Sequence, residues 1–164
     1  MPASDNSGKA MDTMTVDAND PVKIILTDHE QITKMIAQLN QSLDTNNSEK
    51  KAQFKSLRDF VVKHETMEQK AWYPALEKYE QLKSIISNLK DQEKAADNAL
   101  KNIDKAKDDQ EWASKVKDFL KDVEKHAQNE QTELLPKVNQ VVDKEKLNKI
   151  GKEMQAFRTK NNMH

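Results

Sequence analysis

The sequence predicts an all-α protein, an antiparallel up-down-up-down four-helix bundle with a short C-terminal helix. Three observations lead there. Apolar residues recur at alternating spacings of three and four through most of the chain, the period of one helix face. Only 2 glycines and 4 prolines interrupt 164 residues, while helix formers such as Lys, Glu, Gln, Ala and Leu abound. The connections between the long periodic stretches are short, which makes successive helices antiparallel neighbours.

Residues 1–19, MPASDNSGKAMDTMTVDAN, are small, polar and without period, and are expected to be a disordered tail. Residues 20–160 then form one domain, long enough to bury a core. The first helix should start at Asp20-Pro21, because Asp caps well and Pro at the first helical position loses no needed N–H. Its inner face reads Ile25, His29, Ile32, Ile36 and Leu39, and the turn cluster Asp44-Thr45-Asn46-Asn47 ends it. The second helix starts near Ser48 and carries Phe54, Leu57, Val61, His64, Glu68 and Ala71 on one face; Pro74 should kink or weaken it. The third runs from about Gln81 to Lys105 with Ile85, Leu89, Glu93, Ala96, Leu100 and Ile103 inward. The fourth follows Asp108-Asp109 and presents Val116, Phe119, Val123, His126 and Glu130, with Pro136 placed as Pro74 is. Leu147, Ile150, Met154 and Phe157 mark the short last helix.

The chemistry concentrates in a duplicated frame. Lys63 to Pro74 reads KHETMEQKAWYP, and Lys125 to Pro136 reads KHAQNEQTELLP. His64 and Glu68 are four residues apart, as are His126 and Glu130, so each pair shares one helix face. An imidazole and a carboxylate stacked one turn apart can hold a metal ion, and a carboxylate can bridge two. The frame extends upstream: Phe54, Leu57 and Val61 precede His64 by the intervals at which Val116, Phe119 and Val123 precede His126. The first and third helices repeat as well. His29 is followed by Ile32, Ile36 and Leu39, and Glu93 by Ala96, Leu100 and Ile103, at equal intervals. In a bundle, His29, His64, Glu68, Glu93, His126 and Glu130 all fall on inward faces. Buried Glu68 and Glu130 need partners, which a metal supplies. Glu93 either joins them or turns to solvent. Asp97 and Glu65 are expected at the surface, the terminal His164 needs no role, and Trp72, Tyr73 and Trp112 are expected to pack rather than relay electrons.

On these residues the chain resembles the hemerythrin-like, HHE cation-binding domains. The matching pieces are Asp28-His29, His64-Glu68 with Tyr73-Pro74, and His126-Glu130 with Leu135-Pro136, over roughly residues 20 to 160. The resemblance implies two non-haem iron ions inside the bundle; the carboxylate-rich set of this chain makes manganese the other candidate metal. The resemblance also implies dioxygen or peroxide as the small ligand, and roles in oxygen or iron handling or in stress responses. Glu68 and Glu130 would bridge, and His29, His64 and His126 would be terminal ligands. One departure stands out. The family usually has histidine on the third helix, where residues 80 to 110 contain none and Glu93 holds the place. A site of three histidines and several carboxylates is harder and more anionic, which favours the more oxidised metal over reversible oxygen carriage.

Composition narrows the classes further. With no cysteine, disulfides, thiolate zinc sites, cysteine-ligated clusters and cysteine nucleophiles are excluded. A net charge of −1 recommends neither nucleic acid nor an anionic membrane as partner. No apolar run approaches the roughly 20 residues a bilayer requires, and no signal-peptide core is visible, so a cytoplasmic monomer is expected. Three classes of function stay open: a di-metal protein reacting with dioxygen or peroxide, a metal-binding sensor or storage module without turnover, and a metal-free interaction bundle with degenerate ligands.

Overall fold

The structure, a computed structural model, describes residues 18–163. Five helical rods account for them, and no strand occurs among the described residues. Helix α1 spans Pro21–Asp44. Helix α2 comprises Lys50–Met67, a π-helical stretch Glu68–Trp72, and Tyr73–Leu76. A 3₁₀ turn, Glu80–Leu82, leads into α3, Lys83–Asp104. Helix α4 repeats the pattern of α2, with Asp109–Asn129, a π-helical Glu130–Leu134, and Leu135–Val141. Helix α5 is Lys144–Lys160.

Helices α1, α4 and α5 begin at a capping carboxylate. Asp20 Oδ1 accepts from the Val22 N–H at 3.0 Å, Asp108 Oδ1 from Glu111 at 2.8 Å, and Asp143 Oδ1 from Lys146 at 2.9 Å. The turn after α1 contains Asn46 at φ 52°, a left-handed conformation that Asn tolerates. Helices α1 and α2 pack as one antiparallel hairpin and α3 and α4 as another, while α5 lies against α1 and the π-helical stretch of α2.

The core forms two apolar compartments. One gathers Ile32, Ile36, Leu39, Phe54, Leu57, Val61, Leu100, Val116 and Phe119 towards the α1–α2 turn. The other gathers Ile25, Met67, Trp72, Tyr73, Leu76, Leu82, Ile86, Leu89 and Val138, closed over by Ile150 and Met154 of α5. Each fully buried aliphatic or aromatic side chain contributes roughly 1.5–3 kcal/mol of transfer free energy. Between the compartments lies a polar layer.

Two expectations need correction, and that for the prolines takes a specific form. Pro74 and Pro136 each follow a π-helical turn, and α2 ends two residues beyond Pro74, at Leu76. In α geometry each proline ring would meet the carbonyl four residues back, that of Lys70 or Thr132. The helix widens instead, so that Tyr73 N–H bonds to Glu68 O and Leu135 N–H to Glu130 O, and then continues. Ile86 is fully buried, whereas Ile85 is only half-buried: the buried face of α3 runs Ile86, Leu89, Glu93, Ala96, Leu100 and Ile103, and Ile86 continues the alternating three-four spacing where Ile85 does not. The expected tail falls outside the described residues from 1 to 17, as does His164. Ala18 and Asn19, by contrast, dock on α5. Gln155 Nε2 donates to Ala18 O at 2.7 Å, and a Cβ on Gly151 would lie 1.6 Å from Asn19 O, so only glycine permits that approach.

Candidate metal centre

All six candidate ligands face inward in the polar layer. His29, His64, Glu68, Glu93, His126 and Glu130 are buried, with Glu68 and Glu130 at 0% exposure. The α1–α4 helices supply them at one depth because the ligand sets occupy equal positions in the two hairpins. His29 Nε2 lies 3.1 Å from Glu130 Oε1, and His64 Nε2 lies 3.3 Å from Glu68 Oε1. His126 Nε2 is 3.2 Å from Glu93 Oε2 and 4.0 Å from Glu68 Oε1. Glu93 therefore turns into the core, while Asp97, one turn on, is exposed as expected.

Each histidine is oriented from behind. His64 Nδ1–H donates to Asp28 Oδ2 at 2.8 Å, His29 Nδ1–H to Gln131 Oε1 at 2.8 Å, and His126 Nδ1–H to Gln92 Oε1 at 2.9 Å. Oxygen acceptors at Nδ1 leave the neutral ring with its lone pair on Nε2. All three Nε2 atoms point into the centre and find no hydrogen-bond partner, nor do both oxygens of Glu68 and Oε1 of Glu130. Six unpartnered buried donor atoms of this kind, imidazole nitrogen and carboxylate oxygen, are the set that a transition-metal cation satisfies. Two groups converge within 4.8 Å, His29 with His64 and Glu130, and Glu68 with His126 and Glu130. They share Glu130, as two adjacent metals share a bridging carboxylate.

The electrostatics divide the carboxylates. Burial, then the charges of Glu130 and Glu93, push the Glu68 carboxyl well above its ordinary range. Burial also opposes ionisation of Glu130, but the close approach of Glu68 and His29 outweighs it and holds that carboxyl below the usual range. Burial likewise opposes ionised Glu93, and His126 leads the contacts that lower it. For His29, burial disfavours the imidazolium and Glu130 overcomes it, raising the group.

Residues outside the expected set complete the site. Trp72 Nε1–H donates to Glu130 Oε2 at 3.0 Å and Tyr73 OH to Glu93 Oε2 at 2.7 Å, so both do more than pack. Gln69 Nε2–H donates to Glu93 Oε1 at 2.8 Å. Glu65, expected at the surface, is buried against α3, where burial and then the charges of Glu93 and Asp97 push its carboxyl up to about 9. Asp28 is fully buried between His64 and Arg158. Burial opposes its ionisation, yet His64 and then Arg158 hold it below the usual range. Of these, Asp28 and Tyr73 left a trace in the sequence, as parts of the matching pieces Asp28-His29 and Tyr73-Pro74; the glutamines, Glu65 and Arg158 look like ordinary surface residues there. A cavity of about 10 Å³, room for about one water-sized molecule, opens beside the three histidines between Ile32, Val61, Ala96 and Val123, with Glu65 on its wall.

A family model described as the hemerythrin HHE cation binding domain matches residues 20–138, which include all six candidate ligands and end before α5. No curated protein and no solved structure matches the chain. With the match covering most of its length, the chain belongs to the hemerythrin HHE cation-binding domain family.

Proposed function

We propose that this is a non-haem di-metal protein, holding two iron ions, that reacts with dioxygen or peroxide in oxygen or iron handling or a stress response. The convergence of six unpartnered buried donor atoms carries the reading. His29, His64 and His126 would hold the metals through Nε2, Glu68 and Glu130 would bridge them, and Glu93 would complete the position served by His126. Bound iron supplies the electrons that dioxygen or peroxide accepts.

The chain's own residues do the rest. Asp28, Gln92 and Gln131 aim the imidazoles. Trp72, Tyr73 and Gln69 hold the carboxylates by single hydrogen bonds. The apolar walls of the small cavity keep bulk water out and admit a diatomic-sized ligand rather than an organic substrate. Glu65 keeps a proton on its carboxyl at neutral pH at that wall. Three carboxylates beside three histidines make a hard, anionic donor set, which suits manganese as a second metal and favours oxidation over reversible carriage. No described helix is long and apolar enough to cross a membrane. Leu26 and Val62 are the exposed large hydrophobics among the described residues, which supports a monomer, read here as cytoplasmic.

Anaerobic titration with ferrous iron, followed by oxygen, tests the reading. Two equivalents per chain, oxygen consumption and near-ultraviolet charge-transfer absorption are expected. Two equivalents without consumption of oxygen or peroxide would leave a sensor or storage module, and no binding would leave a metal-free bundle. Glu93→Ala should weaken one of the two equivalents by about tenfold, roughly 1.4 kcal/mol. Equal titration of both proteins would remove Glu93 from the ligand set.

A further inference from the structure

The segment beyond the family match reaches the centre. Helix α5 seats Ile150 and Met154 in the compartment that contains Met67, Ala71 and Trp72, beside the π-helical stretch that begins at Glu68. From its last turn Arg158, itself 8% exposed, donates through NH1 to Asp28 Oδ1 at 2.5 Å. The other oxygen of Asp28 takes the Nδ1–H of His64. Both oxygens of a fully buried carboxylate are thus divided between α5 and a metal ligand.

This arrangement singles out His64. His29 and His126 are held by neutral amide oxygens of Gln131 and Gln92. Only His64 has a carboxylate behind it, and a carboxylate makes the imidazole a stronger donor than an amide does. A buried carboxylate without a counter-charge is costly, and Asp28 is fully buried. Arg158 supplies the counter-charge and occupies Oδ1, which leaves Oδ2 for His64.

We propose that Arg158 is a positioning residue of the metal centre: from the C-terminal helix it holds Asp28 so that His64 presents Nε2 to the metal, and metal loading in turn locks α5 onto the bundle. The second half follows from reciprocity. If docking of α5 strengthens metal binding by some factor, metal strengthens docking by the same factor. The C-terminal helix then reports whether the centre is loaded. The inference rests on the metal-centre reading above.

The test is titration of the full chain with Co²⁺, whose ligand-field absorption reports the imidazoles bound, together with hydrogen exchange of α5 with and without Co²⁺. Arg158→Met keeps an unbranched apolar stem and loses the charge and the guanidinium donors. It should weaken Co²⁺ binding by about 10- to 100-fold, the usual effect of removing a ligand's supporting partner, and shift the absorption. In the wild type, Co²⁺ should slow exchange in residues 144–160; in Arg158→Met that slowing should be lost. Asp28→Asn, which keeps an acceptor for His64, should shift the absorption in the same sense, and it carries the test should Arg158→Met not fold. Wild-type affinity and spectrum in the folded variants, with α5 exchange indifferent to Co²⁺, would overturn the inference while leaving the metal centre intact. A wild type that binds no Co²⁺ and no Fe²⁺ would instead defeat the metal-centre reading itself.

Discussion

Glu65 shows how one side chain sets a pH dependence. Its carboxyl is buried beside Glu93 and Asp97 and is raised from 4.5 to about 9. Between those values the folded, metal-free protein keeps the proton and the unfolded chain releases it. Unfolding therefore gains from each rise in pH, and Glu65 lowers stability progressively across that window by at most about 1.4 kcal/mol per pH unit. Above the folded value the loss is complete. Glu65→Gln cannot ionise, so the gap between variant and wild type should widen from pH 5 to pH 9, with the variant the more stable. Urea unfolding of chelator-treated protein across that range checks it. Parallel pH profiles would show that Glu65 reaches enough water to ionise normally. Glu68, raised for similar reasons, must lose its proton before a cation can use both of its oxygens, so metal affinity should rise with pH.

At the scale of the element, the widened turns explain why each duplicated frame ends in proline. A π-helical turn places residue i+5 beneath residue i rather than rotating it past. Starting at Glu68, it brings Trp72 and Tyr73 round to the centre, where they reach Glu130 and Glu93 on the opposing hairpin. Proline six residues after the glutamate removes the N–H that an α-helical register would use and crowds the carbonyl it would approach. Pro74→Ala relieves that constraint. The turn should tighten towards α geometry, change the near-ultraviolet dichroism of Trp72, and weaken metal binding by about tenfold, or about 1.4 kcal/mol. Unchanged dichroism and an unchanged titration would mean that packing of Tyr73 and Leu76 holds the turn without help from proline.

For the whole molecule, the polar layer is a weakness that a cation repairs. Six buried donor atoms lack partners, and they sit between two apolar compartments that otherwise pack continuously. The unfolded chain cannot gather residues from 29 to 130, so metal binds the folded state selectively. At a free metal concentration near 100 times the dissociation constant, one site adds about 2.7 kcal/mol, which for a chain of this size raises the melting temperature by roughly 5–10 °C. Chelation should reverse the gain. A melting temperature indifferent to ferrous iron, manganese and zinc would contradict the assignment.

Periodicity was enough to read the helices, their order and the inward direction of His29, His64, Glu68, His126 and Glu130, because a helix face is a local property repeated every few residues. The placement of Glu93 followed from the internal repeat, but its orientation did not. Spacing alone cannot distinguish a ligand from a residue facing water, and the hydrogen bonds from Tyr73 and Gln69 that hold it inward cross between helices. The prolines were visible as places where the helix must depart from α geometry, but not the π-helical form of that departure. Gln92 and Gln131 matter because they stand behind histidines over 30 and over 100 residues away in the chain. Glu65 is buried among residues of other helices, Ala96 and Val123 among them, that lie far from it in the chain. Arg158 meets Asp28 across 130 positions, and no local pattern encodes that contact. The sequence by itself determined which residues share a helix face. Only the tertiary structure decided which charges and donors meet across faces, because burial and pairing depend on the distance between segments that the chain separates.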